Sequence, residues 1–111
     1  MKRDPSLFVK HILECIGFIE EYMEDKTEED LSKDRKLQDA VLHRLTIIGE
    51  AVKNIPDILK KNNPDIPWRK IAGIKDVLVH HYFGVDMGAI WLVLQKDIPE
   101  LKEKLQVLKD T

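Results

Sequence analysis

Apolar side chains recur every three to four residues along most of the chain, which is the spacing of one face of an α-helix. The first such segment follows Pro5 and ends near Met23. A second helix is predicted to begin between residues 32 and 36 and to end before Pro56. Its buried face is predicted to carry five residues, Leu37, Val41, Leu45, Ile48 and Val52.

Proline interrupts the second half of the chain. Residues 55–67 contain three prolines and two adjacent asparagines, so a short helical turn and then a loop are predicted there. From Trp68 a helical pattern resumes and continues to Tyr82. Asp86 is predicted to cap a further helix, in which Pro99 introduces a kink or a new start.

Length and composition narrow the fold class. A chain of 111 residues is large enough for one domain, predicted to span residues 1–111, with its own core. Hydrophobic residues at 43% and charged residues at 34% are typical of a soluble globular protein. We therefore expect an all-α bundle of four or five main helices. The lone Cys15 and the absence of a secretory pattern predict a cytoplasmic location.

Charge is distributed unevenly along the chain. The net charge is −2, but the acidic side chains concentrate in residues 20–30, predicted to be a helix end and a solvated loop. The remainder is mildly basic. That balance permits a small phosphate-contacting surface and does not resemble the footprint of a dedicated DNA-binding protein.

Residues 75–86, KDVLVHHYFGVD, combine side chains that an apolar helix has no need to carry. Lys75 and Tyr82 are seven residues apart and share a helical face, while Asp76 and His80 are four apart on a neighbouring face. Lysine supplies a positive charge and histidine titrates near neutral pH, so these side chains are suited to binding a phosphate group. The alternative is that this stretch is only the C-terminal end of a helix, where the helix dipole favours a protonated histidine. No metal-ligand spacing is present, and we predict neither metal nor cofactor.

The wider sequence resembles the HepT type of HEPN-domain protein, the toxin of a toxin–antitoxin pair. The resemblance is carried by IIGEA at 47–51, IPW at 66–68, IAG at 71–73, K-x-x-x-x-H-x-Y at 75–82 and VD at 85–86. It covers nearly the whole chain.

The resemblance implies a helical homodimer with a composite, metal-independent ribonuclease site that cleaves RNA, for example tRNA. His80 corresponds to the catalytic histidine and Tyr82 to the acceptor of AMP. Asp76 follows the basic position of the motif. The implied partner is a minimal nucleotidyltransferase, which neutralises the toxin by transferring AMP to that tyrosine.

Lys75 departs from the family, which has arginine at this position. Lysine keeps the charge but cannot hold two phosphate oxygens with a planar fork, so catalysis is expected to be weakened. A second hypothesis is therefore a catalytically weak dimer that serves as the binding partner of the nucleotidyltransferase. A third is a helical scaffold in which the motif only packs.

Several residues outside the motif carry two interpretations each. Arg44 and Glu50 are predicted to form a surface or helix-packing pair, and Arg44 alternatively contributes charge to the phosphate site. Trp68 is predicted to anchor the core, with base stacking as the alternative. Four cations flank the motif helix and are predicted to lie in a solvated loop or to contact an RNA backbone: Lys60, Lys61, Arg69 and Lys70.

Overall fold

The computed structural model describes residues 5–80 and 86–109, with side chains for 6–74 and 86–109. Within these ranges the chain is helical throughout and contains no β-strand. The helices are α1 (Pro5–Met23), α2 (Glu28–Lys33), α3 (Arg35–Lys53), α4 (Asp57–Asn62), α5 (Trp68–His80), α6 (Met87–Leu92) and α7 (Ile98–Lys109), with a π-helical segment (Val93–Asp97) between the last two. Three helices and the continuous stretch from α6 to α7 are the main elements, which confirms the predicted all-α bundle.

Helix α3 lies at the centre, packed against α1 on one side and α5 on the other. The five residues predicted to form its buried face are all buried. Asp34 caps this helix by accepting a 3.2 Å hydrogen bond from the backbone N–H of Leu37. The facing surface of α1 contributes Cys15, which is a free and buried thiol as expected from its apolar neighbours.

The acidic stretch from residue 20 to residue 30 was predicted to end a helix and to run into a solvated loop. Helix α1 does end within it, at Met23, but the prediction of a loop up to residue 30 is wrong. The last three residues of the stretch open helix α2, and a capping box closes that helix at its start. The Thr27 hydroxyl accepts from the backbone N–H of Asp30 at 3.1 Å, while the Asp30 carboxylate accepts from the N–H of Thr27 at 2.8 Å. Leu31 is fully buried and ties the short helix to the core. Local capping and one buried side chain outweigh the acidic composition.

Pro99 lies in the first turn of α7, which agrees with its predicted role as a helix start. It has no N–H to donate to the carbonyl of Gln95, and its ring would crowd that carbonyl in a regular helix. The preceding residues widen into the π-helical segment, in which the N–H of Ile98 donates to the carbonyl of Val93. The sequence pattern did not predict this widened turn.

Helix α6 begins where it was predicted to begin. The Asp86 carboxylate accepts hydrogen bonds from the backbone N–H groups of Gly88 and Ala89, at 2.8 and 3.4 Å. Residues 81–85, which connect α5 to this helix, lie outside the described residues. Of the helices within the described ranges, none combines the length and the apolar character needed to cross a membrane.

Candidate functional site

Helix α5 carries the motif, and its first half is firmly anchored. Trp68 is 8% exposed, and its indole N–H donates to the backbone carbonyl of Asn63 at 3.0 Å. One turn later Ile71 is buried against the core. This confirms the predicted anchoring role of Trp68 and fixes the start of α5 against the core.

Three of the predicted site residues belong to the second half of this helix. Lys75, Asp76 and His80 lie on α5, where five residues separate the lysine from the histidine by about 7.5 Å along the axis. Their side chains are outside the described residues. Tyr82, the predicted AMP acceptor, follows the helix and is also outside the described part of the chain. The roles of these four residues stay predictions.

Arg44, the remaining predicted site residue, projects from α3 toward α1. Its guanidinium carbon lies 4.3 Å from the centroid of the Phe18 ring, a cation–π contact. Phe18 in turn stacks on Tyr22, with the ring centroids 6.4 Å apart. Within the described residues the buried Nε of Arg44 has no hydrogen-bond partner. The described partner of Arg44 is therefore an aromatic ring of α1, and not the pair with Glu50 that was predicted.

The electrostatics of this cluster keep Arg44 charged. Hydrogen bonding to the side chain of Tyr22 raises the pKa of Arg44, against partial desolvation, with a smaller contribution from Cys15. A guanidinium is protonated at any physiological pH even without that help. Arg44 therefore places a permanent positive charge on the α1–α3 face, and its predicted contact with a phosphate stays a prediction.

One buried carboxylate ties α5 to the π-helical segment. Asp97 is 7% exposed and accepts a hydrogen bond from Lys70 Nζ at 2.9 Å, although the two residues are 27 positions apart. The lysine side chain is itself 59% exposed. Asp97 is the last residue of the π-helical segment, two residues before Pro99. Its carboxylate lies beside the first turn of α5, where it meets Lys70. The sequence analysis missed this pair because no local spacing links its members.

A basic depression lies at the start of α5. It has a volume of about 830 Å³ and is lined by Lys60, Ile66, Pro67, Trp68, Arg69, Lys70 and Ala72. We call this feature the α5 depression. Four of its lining residues are apolar or aromatic and three are cations. Lys60 and Lys61 belong to α4, and Arg69 and Lys70 to the first turn of α5, so these four cations lie in helices and not in the predicted solvated loop.

Within residues 6–74 and 86–109 no three histidine, cysteine or carboxylate side chains are placed to hold a metal ion together.

Comparison with protein families gives one match that covers most of the chain. Residues 12–108 match the family model described as "Ribonuclease HepT-like". No solved structure matches the chain significantly.

Several curated proteins are similar over nearly the whole chain. "Probable ribonuclease HepT" of Thermococcus cleftensis is 45% identical over 109 residues, covering 98% of this chain and 99% of that protein. A "Putative RNase" of Caldanaerobacter subterraneus is 39% identical, covering 94% and 93% of the two chains.

A third relative is longer. The protein named "Gamma-glutamylcyclotransferase and putative RNase" of Methanocaldococcus jannaschii is 49% identical over 105 residues. The match covers 95% of this chain but only 47% of that protein, so the chain spans about half the length of this relative.

Proposed function

Because the chain belongs to the family of HepT-like ribonucleases, we propose that it is a metal-independent endoribonuclease, acting as a homodimer in which two copies complete one site. The observation that supports this most is the family match over residues 12–108, which includes Lys75 and His80 on a single helix, α5. The same match supports one helical domain. An RNA substrate, of which tRNA is an example, is consistent with a cytoplasmic location.

The chemistry explains why two copies are needed. Cleavage by attack of the ribose 2′-hydroxyl on phosphorus requires a base for that hydroxyl and an acid for the departing 5′-oxygen. His80 supplies one such group per chain. A two-fold dimer brings a second His80 to the same phosphate, so that one imidazole accepts a proton while the other donates one. The products are a 2′,3′-cyclic phosphate and a free 5′-hydroxyl.

Lys75 stabilises the negative charge that develops on the phosphorane. An arginine would hold two phosphate oxygens in a fixed planar geometry, whereas the ammonium of lysine is a hydrated point charge. Loss of that geometry is worth about 2–4 kcal/mol of transition-state stabilisation, on the scale of one oxyanion donor. The expected rate is therefore roughly 30- to 1,000-fold below that of an arginine-containing site. We assign Asp76, four residues before His80 and on the same helical face, to orienting the imidazole.

Tyr82 is the proposed point of control. Its phenol oxygen attacks the α-phosphorus of ATP bound by a partner nucleotidyltransferase, and pyrophosphate leaves. The new phosphodiester adds a negative charge and an adenosine group only two residues from His80. Both oppose entry of an RNA phosphate into the site.

A second function class follows from Lys75 alone. If the family's arginine is indispensable, the chain is an inactive dimer whose role is to bind the nucleotidyltransferase and present Tyr82 to it. This alternative predicts a tight complex with the partner and no cleavage at any protein concentration.

The test is incubation of the purified chain with total tRNA in the presence of EDTA. Four proteins are compared: the natural chain, Lys75→Arg, His80→Ala and the matched control His81→Ala. We expect weak cleavage by the natural chain, faster cleavage by Lys75→Arg, none by His80→Ala and an unchanged rate for His81→Ala. Cleavage by Lys75→Arg alone would identify a toxin disarmed at one position. Absence of cleavage by all four would refute the ribonuclease and leave the partner-binding function.

A further inference from the structure

We propose that the α5 depression is a subsite for one nucleotide of a single-stranded RNA, with a phosphate on Lys60 and Arg69 and the base on the apolar floor. The inference rests on the proposed function, because it takes its ligand from the reaction assigned there. It adds a binding site at the opposite end of α5 from the catalytic motif.

The charge of the first turn of α5 is the first argument. Carboxylates are favoured in the first turn of a helix because the dipole and the free N–H groups there are positive. The helix α5 has no acidic residue in that turn and has Arg69 and Lys70 instead. Cations at this position oppose the dipole; Lys70 is compensated by its pair with Asp97, whereas Arg69 forms no ion pair among the described residues. Together with the free N–H groups they form a positive surface suited to an anion.

The partners of these cations are the second argument. Among the described residues, Arg69 and Lys60 form no ion pair, and the arginine is exposed. Lys70 is different because it pairs with the buried Asp97. Residues 57–70 carry four cations and two carboxylates, so the segment has a positive balance. Two cations at the rim of the depression are thus available to a phosphate.

The floor is the third argument. Pro67 and Ala72 are half-buried and expose the apolar floor, which rests on Ile66 and Trp68, both almost completely buried. Their positions are held by the core and by the Trp68–Asn63 hydrogen bond. A preformed apolar surface under a charged rim is the arrangement with which single-stranded nucleic acids are bound, since the base needs an apolar face and the backbone a cation. The volume of about 830 Å³ lies in the range of ligand pockets.

The position along α5 favours RNA over an acidic protein. Eleven residues separate Arg69 from His80, which is about 16 Å along the helix axis. A strand cleaved at the motif can extend along α5 by a few nucleotides and reach the depression. The subsite would then hold the substrate at a fixed distance from the scissile phosphate.

The test is fluorescence anisotropy with a short, fluorescein-labelled single-stranded RNA of mixed sequence. All chains carry His80→Ala so that the RNA is not cut. We compare that chain with Lys60→Gln/Arg69→Gln and with the control Lys10→Gln/Lys36→Gln, which removes two exposed cations from α1 and α3. Circular dichroism establishes that each chain is folded.

We expect the Lys60→Gln/Arg69→Gln chain to bind about tenfold more weakly at about 0.15 M salt. The slope of log K against log salt should fall by about 0.7, the loss of one phosphate contact to a single strand. The control should keep both values. An equal loss in the control, or no loss in either chain, would overturn the subsite.

The floor is tested separately with an oligonucleotide of the same length that carries abasic sites. We expect it to bind the chain with the intact depression at least about fivefold more weakly than the RNA, since stacking contributes on this scale per base. Equal binding would reduce the depression to a charged surface and overturn the base contact. If polyglutamate displaced the RNA as well as unlabelled RNA does, the surface would be one for acidic proteins, and the proposal would be wrong.

Cleavage assays with His80 intact separate this inference from the proposed function. Cleavage by the natural chain, with no difference in binding between the two double variants, would refute the subsite alone. A clear difference in binding, with no cleavage by the natural chain or by Lys75→Arg, would refute the ribonuclease and support the subsite.

Discussion

Helices α3 and α5 pack against each other, and each opens with two cations and no carboxylate in its first turn, but the residues that precede them differ. Helix α3 follows an aspartate that caps it. Helix α5 follows a proline and opens with a tryptophan and two cations, without a carboxylate. Both helices bury isoleucines almost completely, so their attachment to the core is of the same kind. Because Arg35 and Lys36 open α3 as Arg69 and Lys70 open α5, the difference is confined to the residue before each first turn.

The comparison separates what holds the bundle together from what is available for binding. Asp34 satisfies a free N–H of α3 and follows the dipole, and it has no need of a ligand. The cations of α5 oppose the dipole and border a depression with an apolar floor. The positive first turn of α3 is met by the carboxylate of Asp34, whereas no carboxylate precedes α5, so its exposed Arg69 is left to an external anion.

The largest expected effect tests what the two helices share, the burial of an isoleucine in the core. Ile48→Ala in α3 and Ile71→Ala in α5 should each lower the free energy of unfolding by about 3 kcal/mol, because both side chains are about 1% exposed and each truncation leaves a cavity. Urea denaturation measures both. A loss below about 1 kcal/mol for Ile71→Ala alone would show that α5 is attached more loosely than α3.

The next effect concerns the tie between α5 and the π-helical segment. Lys70→Ala leaves the carboxylate of Asp97 buried without its partner and should cost about 2 kcal/mol. Asp97→Asn returns an exposed lysine to water and should cost less, about 1 kcal/mol. Thermal and urea unfolding of the two variants show which of them loses more stability. The reverse order would mean that the lysine is not what compensates the buried carboxylate.

A glycine near the middle of α5 offers a gain in stability. A Cβ built at Gly73 meets no described atom within 4 Å, and the same is true of Gly17 in α1. Replacing either glycine by alanine should raise the free energy of unfolding by up to about 1 kcal/mol. If Gly17→Ala stabilises the chain and Gly73→Ala does not, then α5 requires its glycine for a purpose other than the packing of the described residues.

A smaller effect is expected at Arg69, where one substitution should change stability and RNA binding in opposite directions. Arg69→Glu places a carboxylate at the positive end of α5 and should stabilise the chain by about 0.5 kcal/mol. The same change should weaken binding of the labelled RNA more than Arg69→Gln does. Stability and affinity moving in the same direction would contradict the division between folding and recognition in this turn.

The smallest effect is a dependence on pH in a helix that begins with an acid. Hydrogen bonding to Lys104 lowers the pKa of Glu100, in the first turn of α7, below its usual 4.5. Since the pKa is lower in the folded chain, the stabilisation is present above about pH 4.5 and is lost as the pH falls through the folded value. Glu100→Gln should therefore lower stability at pH 7 and leave it nearly unchanged at pH 3. Arg69→Gln, in the first turn of α5, should show no such dependence.

Much of the fold could be predicted from local sequence alone. The three-to-four spacing gave α1, α3 and the start of α5, and Asp86 and Pro99 marked helix starts, because capping and backbone geometry are decided within a few residues. The error at residues 20–30 was one of emphasis. Thr27 and Asp30 form a capping signal that is visible in the sequence, but the acidic composition outweighed it in the prediction.

Three features of the candidate site came only from the tertiary structure. The sequence identified Arg44 as a candidate but did not show that it rests on Phe18. It showed neither the pairing of Lys70 with a carboxylate 27 residues away nor the depression that joins the end of α4 to the start of α5. Periodicity determines which face of a helix is buried. Which side chains meet across helices depends on how the helices pack, and no spacing within one helix contains that information.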